Sequence, residues 1–345
     1  MAGRHLLPPS PLSKSEGTVQ EIFADWRSLM AGIQLWLAGG NPYGSYQHPV
    51  FPNSIVHVGW YAYPPPTLLL ATPLALLPWP VSSAIMLLIS IVGLERWVRQ
   101  RSGRTCLPWL ILWLPFTQGI WIGQTTLLTL VGLIWAEHAS SQGRDTRAAV
   151  LLALVMLKPQ VGALPVAYLL LTALYGRRWR LLATFTAICV ALWGGAALIA
   201  GPQIYAQWIA GLGGYTSAIP NRPLLFPPFG PLLGLMALLL WHLHGRGDPF
   251  GLALLVNTLI YPLSVVYIAI TIAVVVIRWN PRWQWYPLAL SWIIPMGFPL
   301  VVRTPDTVAG LTQAIIATGM LAGLLPWLPW RRRAANDQPP AATNG

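Results

Sequence analysis

Few residues of this chain could carry chemistry. Only nine of its 345 residues are acidic, and most of the nine have an ordinary local use. Glu16 and Asp337 lie near the ends, and Glu95, Asp145 and Asp248 sit among arginines and glycines and read as solvated loop charges. Glu137 closes an apolar run beside His138 and reads as an interfacial charge, while Asp306, after Arg303-Thr304-Pro305, reads as a turn residue. Glu21 and Asp25 remain, at i and i+4, on one face of any helix formed there. Asp25 heads a polar, aromatic-rich stretch that ends at Tyr63-Pro64-Pro65-Pro66. A carboxylate in such a place can take the proton of a hydroxyl nucleophile. It can equally cap a helix or pair with Arg27.

Lys158, Arg222, Arg303, His48 and His57 each lie near a loop or helix break rather than in a basic cluster. Lys158 is the most unusual of them. It stands between Leu157 and Pro159 inside an apolar stretch, where a lysine must snorkel, pair or line a cavity. Gln124, beside Gly123, offers an amide to a ligand or to a neighbouring helix. His48 and His57 read otherwise as water-exposed loop histidines. Trp60, Tyr61 and Tyr63 can stack on a flat or apolar ligand, or anchor the chain at an interface.

The elements that must position these groups are membrane helices. With 55% hydrophobic residues, 9% charged residues and a mean hydropathy of +0.57, the chain is not a soluble domain. Apolar runs recur from residue 62 to residue 328, and a backbone in lipid must satisfy its own hydrogen bonds, so the runs are expected to be helices. The fold class is all-α and polytopic, with about ten transmembrane helices. The expected spans cover 62–77, 80–98, 106–121, 124–138, 148–157 with 160–175, 181–200, 224–243, 250–260 with 262–278, 284–302 and 308–328. Breaks at Pro78-Trp79-Pro80, Lys158-Pro159-Gln160 and Tyr261-Pro262 point towards a site, because a freed backbone at membrane depth needs protein or a wet cavity around it.

A flexible segment, 1–20, precedes a single domain over 21–330, whose first loop is 21–61; a basic cytoplasmic tail, 331–345, follows. Residues 201–222 read as a second polar loop on the same side as the first. The net charge of +12 falls in short clusters, Arg96 to Arg104, Arg177 to Arg180 and Arg331 to Arg333, which is the pattern of cytoplasmic loops facing anionic lipid and not of a nucleic-acid surface. Many of the nineteen tryptophans lie at segment ends, as interfacial belts require. Cys106 and Cys189 lie far apart in apolar segments and support neither a disulfide framework nor a thiolate site. No phosphate-binding glycine loop, His-Glu-x-x-His or Asp-x-Asp pattern is present, so neither a cofactor nor a metal is expected.

Asp25-Trp26 with Leu37-Ala38-Gly39-Gly40-Asn41-Pro42-Tyr43, Tyr63-Pro64-Pro65 with Leu74-Ala75-Leu76-Leu77-Pro78, Gly123-Gln124-Thr125, and Leu157-Lys158-Pro159-Gln160 form an ordered series over about residues 25–180. In order and spacing the series resembles glycosyltransferase family 87, multi-spanning GT-C-type enzymes similar to polyprenyl-phosphate-mannose-dependent alpha-mannosyltransferases. The resemblance implies that Asp25 is the general base of the first extracytoplasmic loop. It also implies that a polyprenyl-phosphate sugar is the donor, that a glycolipid or glycan is the acceptor, and that the surroundings are membrane lipid. Lys158, Gln124, His48, His57, Arg222 and Tyr63 are then the expected donor-phosphate or substrate ligands. The chain departs from the pattern at residues 1–20, which are too polar for the first transmembrane helix usual in such enzymes. A lipid or small-molecule transporter and a catalytically degenerate family member are the alternative expectations.

Overall fold

The computed structural model describes residues 22–47, 55–56, 61–218, 225–261, 266–280, 288–292 and 304–325. His48, His57, Trp60, Arg222, Arg303, the segment 1–20, the tail 331–345 and most of the expected span 284–302 lie outside them. Among the described residues the fold is all-helical, apart from a two-residue antiparallel pairing of Tyr46–Gln47 with Ile55–Val56. The helices are α1 (Ala24–Leu37), α2 (Pro66–Ala75), α3 (Trp79–Ser102), α4 (Leu107–Leu112), α5 (Leu114–Trp121), α6 (Thr126–Ser141) and α7 (Asp145–Val155). They continue as α8 (Pro159–Tyr175), α9 (Trp179–Ala200), α10 (Gln203–Ala218), α11 (Gly230–Leu240), α12 (Pro249–Ile260), α13 (Ile270–Trp279) and α14 (Pro305–Leu324).

Three of these are long and apolar enough to cross a membrane: α3, α9, and α14 over Asp306–Leu324. The pair α5 and α6 makes a fourth if read as one span, bent by 119° at its break. The other apolar helices are shorter, so among the described residues length and composition do not reach the expected ten spans. Only 6% of the apolar window of α9 is buried, and Val190, Leu198 and Ile199 project outward, as they do on a helix that faces lipid.

Proline sets most of the helix starts, because its missing N–H costs nothing in a first turn. Pro108 and Pro115 open α4 and α5, and Trp113 between them is extended, so the expected span 106–121 is divided. Pro159 opens α8 directly after Lys158, as the expected break requires. Within α8, Gly162 leaves helical geometry. Asn257 of α12 enters the opening: its amide nitrogen donates to Gln160 O at 3.0 Å and its oxygen accepts from Leu164 N at 3.1 Å. One carboxamide thus replaces a rung of the helix ladder and leaves neither backbone group unpaired.

The expected second loop at 201–222 is a correction: its described part is largely the helix α10. The described part of this segment lies against the first loop. Trp208 Nε1 donates to Ala62 O at 3.2 Å, and a Cβ at Gly211 would sit 3.4 Å from Tyr43. A small core of Trp26, Leu29, Ile33, Tyr43, Tyr61, Leu68 and Ile204 lies beneath, separate from the main core, which runs from the C-terminal half of α3 through α4–α8 to α11–α14 and takes in Leu181 of α9.

The opposite end of the bundle gathers basic residues. Arg101 lies 3.9 Å from Glu137 near the end of α6, and Arg178 donates to Ser140 at 2.9 Å and pairs with Asp145. Two of the arginine clusters therefore meet at one end. Asp248 is also a correction, because it lies against Arg278, whose side chain is 7% exposed, instead of standing in water, and Glu137 lies against the same arginine. Glu95 caps the chain before α4 by accepting from Cys106 N at 2.6 Å and Thr105 Oγ1 at 3.2 Å.

Candidate active site

The site is built where the start of α1 meets the break between α5 and α6. A helix leaves donors unpaired at its first turn and acceptors unpaired at its last. Here the two deficits cancel, as Phe23 N donates to Trp121 O at 2.8 Å and Asp25 N to Ile122 O at 2.9 Å. Gly123 makes the approach possible. Its φ is +69°, and a Cβ there would lie 2.8 Å from Trp26 Cβ and 3.1 Å from Phe23 Cα. Trp26 Nε1 donates to Ser82 Oγ at 3.0 Å and Gln34 Nε2 to Ala75 O at 2.8 Å, which fixes α1 on α3 and α2.

Asp25 thus lies in the first turn of α1 and does not act as its N-cap, which is Phe23. Gln124 Nε2 donates to Asp25 Oδ2. From the far side Lys158 Nζ donates to Gln124 Oε1 at 2.8 Å and to Thr125 Oγ1 at 2.9 Å. Thr125 Oγ1 also shares a hydrogen bond of 3.0 Å with Tyr63 OH. Lys158 Nζ lies 5.7 Å from the Tyr63 ring and 5.9 Å from the Tyr267 ring, within reach of cation–π attraction. Gln124 is 3% exposed and Lys158 8%. The lysine stands at the N-terminal end of α8, where the helix dipole disfavours a cation. Its position serves the hydrogen-bonded line, not the helix. Burial pushes the Asp25 carboxyl above its ordinary value, and the nearby Lys158 charge partly offsets this.

Asp25, Gln124, Lys158 and Tyr63, expected from sequence, are therefore brought together from α1, the α5–α6 break, the α7–α8 break and the entrance to α2. Tyr61 is not available as a stacking surface: it is 4% exposed, with its ring against Gly32. Sequence reasoning did not assign Thr125, although it stands beside Gln124 in Gly123-Gln124-Thr125, nor Tyr267, which carries no local signal. A cleft of about 280 Å³, lined by Trp36, Asn41, Gln203 and Gln207 among others, opens at the far end of α1 and contains none of these groups.

The arrangement is an acid with one oxygen tied, a cation one amide away, and hydroxyls behind the cation. Such a set can accept a proton from a bound hydroxyl and supply positive potential to an anion. The family model of glycosyltransferase family 87 matches residues 61–302, more than half of the chain. The chain belongs to glycosyltransferase family 87. No curated protein and no solved structure matches it. As a member of family 87 the chain is a membrane-associated glycosyltransferase, with a sugar donor and a glycan or lipid acceptor. The family 87 match contains Tyr63, Gln124, Thr125 and Lys158 but begins after Asp25, so the place of Asp25 rests on the hydrogen-bonded line.

Proposed function

We propose that this family 87 glycosyltransferase is a multi-pass enzyme of the cell membrane that moves a hexose, mannose by the family resemblance, from a polyprenyl-phosphate donor to a glycolipid or glycan acceptor, with Asp25 as the general base. The observation that carries the reading is the line from Lys158 through Gln124 to Asp25 at two helix breaks. In the step proposed, the acceptor hydroxyl gives its proton to Asp25 Oδ1 while its oxygen forms the bond to the anomeric carbon. The bond from that carbon to the phosphate oxygen breaks, and its electron pair leaves on the polyprenyl phosphate. One displacement inverts the carbon, so a beta-linked donor gives an alpha product. Positive potential from Lys158 favours the growing phosphate charge. His48, His57 and Arg222 join the reading as phosphate ligands, and Tyr63 as a substrate contact. Asp25 stands on the outer side in this reading, supported by the gathering of two arginine clusters at the other end of α6.

The test compares membranes holding the wild-type protein or Asp25→Asn, supplied with labelled polyprenyl-phosphate mannose and a mixed glycolipid acceptor fraction. Label transfer is expected to fall by about 10²- to 10⁴-fold in the variant at equal membrane level. Equal transfer by both proteins removes Asp25 from the mechanism.

A further inference from the structure

The two ends of the Gln124 amide face different neighbours, and chemistry decides which end faces which. An ammonium only donates, and Lys158 donates to Oε1. The amide nitrogen must then point the other way, to Asp25 Oδ2. Thr126 Oγ1 adds a longer bond of 3.4 Å to the same Oε1, and Gln124 N is held by Gly119 O at 2.8 Å. A glutamine in water turns freely between two near-equivalent orientations; this one, 3% exposed, is held in one of them by a cation.

We infer that Gln124 is a positioning residue for the transfer, an oriented amide that joins Lys158 to Asp25 while keeping the ammonium off the carboxylate. This assignment rests on Asp25 being the base, and it replaces a direct substrate-binding role for Gln124. Direct Lys–Asp pairing would favour the ionised carboxylate strongly and make it a weak proton acceptor. With the amide between them, Oδ2 is held, Oδ1 makes no hydrogen bond among the described residues, and the charge acts at a distance. Lys158 faces Asp25 from the α7–α8 break through Gln124, and the Tyr63 hydroxyl lies beyond it on Thr125. Arg27, on the same helix as Asp25, sets its guanidinium 4.7 Å from the centre of the Trp79 ring, and Tyr61 packs on Gly32.

The experiment is a pH–rate profile with polyprenyl-phosphate mannose for wild type, Gln124→Glu, Gln124→Met, Lys158→Met and the double variant Gln124→Met/Lys158→Met. A base must be deprotonated to act, so transfer rises with pH along an acidic limb that follows Asp25. Gln124→Glu keeps the shape and the link to Lys158 but sets a like charge beside Asp25, so the limb is expected to move up by about one pH unit. Gln124→Met removes a donor to the charged form. It is expected to move the limb the same way and to lower kcat about tenfold, with the donor KM within about twofold. The double variant is expected to be little worse than the poorer single one, because both changes cut the same line.

An unmoved limb in Gln124→Glu overturns the inference. So does a raised KM at unchanged kcat in Gln124→Met, which returns Gln124 to the substrate. If Gln124→Met fails to reach the membrane, the limb of Gln124→Glu decides alone. Asp25→Asn separates the two levels: wild-type transfer there sinks the base itself, whereas lost transfer there with an unmoved limb in Gln124→Glu sinks only the positioning role.

Discussion

The two ends of α6, about 24 Å apart by its 16 residues, both gather buried charge and do so in opposite ways. Beyond its C-terminal end Arg278 grips Asp248 with two bonds of 2.6 Å and lies 3.4 Å from Glu137. Gly251 N and Trp279 Nε1 donate to the same Asp248 carboxylate, at 3.1 and 2.9 Å. Burial pushes that carboxyl up, but the guanidinium and the other donors outweigh it and hold Asp248 below its ordinary value. At the N-terminal end an amide stands between cation and acid, and burial prevails for Asp25. An acid whose lone pairs are all claimed fastens helices together. One that keeps an oxygen without a hydrogen bond among the described residues, and a raised proton affinity, is equipped to react.

The sharpest way to break this contrast is Arg278→Met. It strands two carboxylates and is expected to cost about 3–5 kcal/mol of stability, read as a lower unfolding temperature in detergent. Transfer by the protein that stays folded is expected to fall by less than about twofold. Lys158→Met reverses the pattern, with transfer down by about 10- to 100-fold and the unfolding temperature nearly unchanged. A melt as low as that of Arg278→Met would make the two ends alike. Asn257→Leu removes both bonds of the inserted rung, at about 1–3 kcal/mol, and is expected to lower stability and transfer together.

The smallest effect is in pH. Asp248 is depressed in the folded protein, so its contribution is present above the unfolded value and disappears as pH falls through the folded one. Asp25 is raised, so its ionisation costs stability once pH climbs past the ordinary 3.8. Near neutral pH, Asp248→Asn is expected to lower the melting temperature. Asp25→Asn is expected to raise it slightly, and melts at about pH 4 and about pH 7 would separate the two: near pH 4 the Asp25→Asn difference shrinks, whereas the Asp248→Asn difference persists and is lost only at lower pH.

Much of the site was legible because its residues break local rules. A lysine between Leu157 and Pro159 in an apolar run, a glycine-led glutamine and an acid outside the arginine clusters all stand out against their neighbours. The all-helical fold and the Lys158-Pro159 break followed from hydropathy and proline in the same way. What local signals could not show is pairing at a distance. Asp248 looks solvated because arginine and glycine lie close by, and Glu137 looks interfacial beside His138, yet the partner of both is Arg278, 30 and 141 positions away. Asn257 reads as one polar residue in an apolar helix, and only the kink at Gly162 gives it a use. The glycines of 209–214 suggested a loop; the backbone there stays helical and uses one of them, Gly211, to lie close to Tyr43.

The rung supplied by Asn257 also bears on the order in which the protein is made. Gln160 leaves the ribosome 97 residues ahead of the side chain that completes it, and Asp25 waits 99 residues for Gln124. Each half of the reactive corner is thus finished by a later segment, after a long loop has closed. A nascent chain that stops short of α12 can insert its early helices, yet the corner that holds Lys158 stays unsealed until Asn257 arrives.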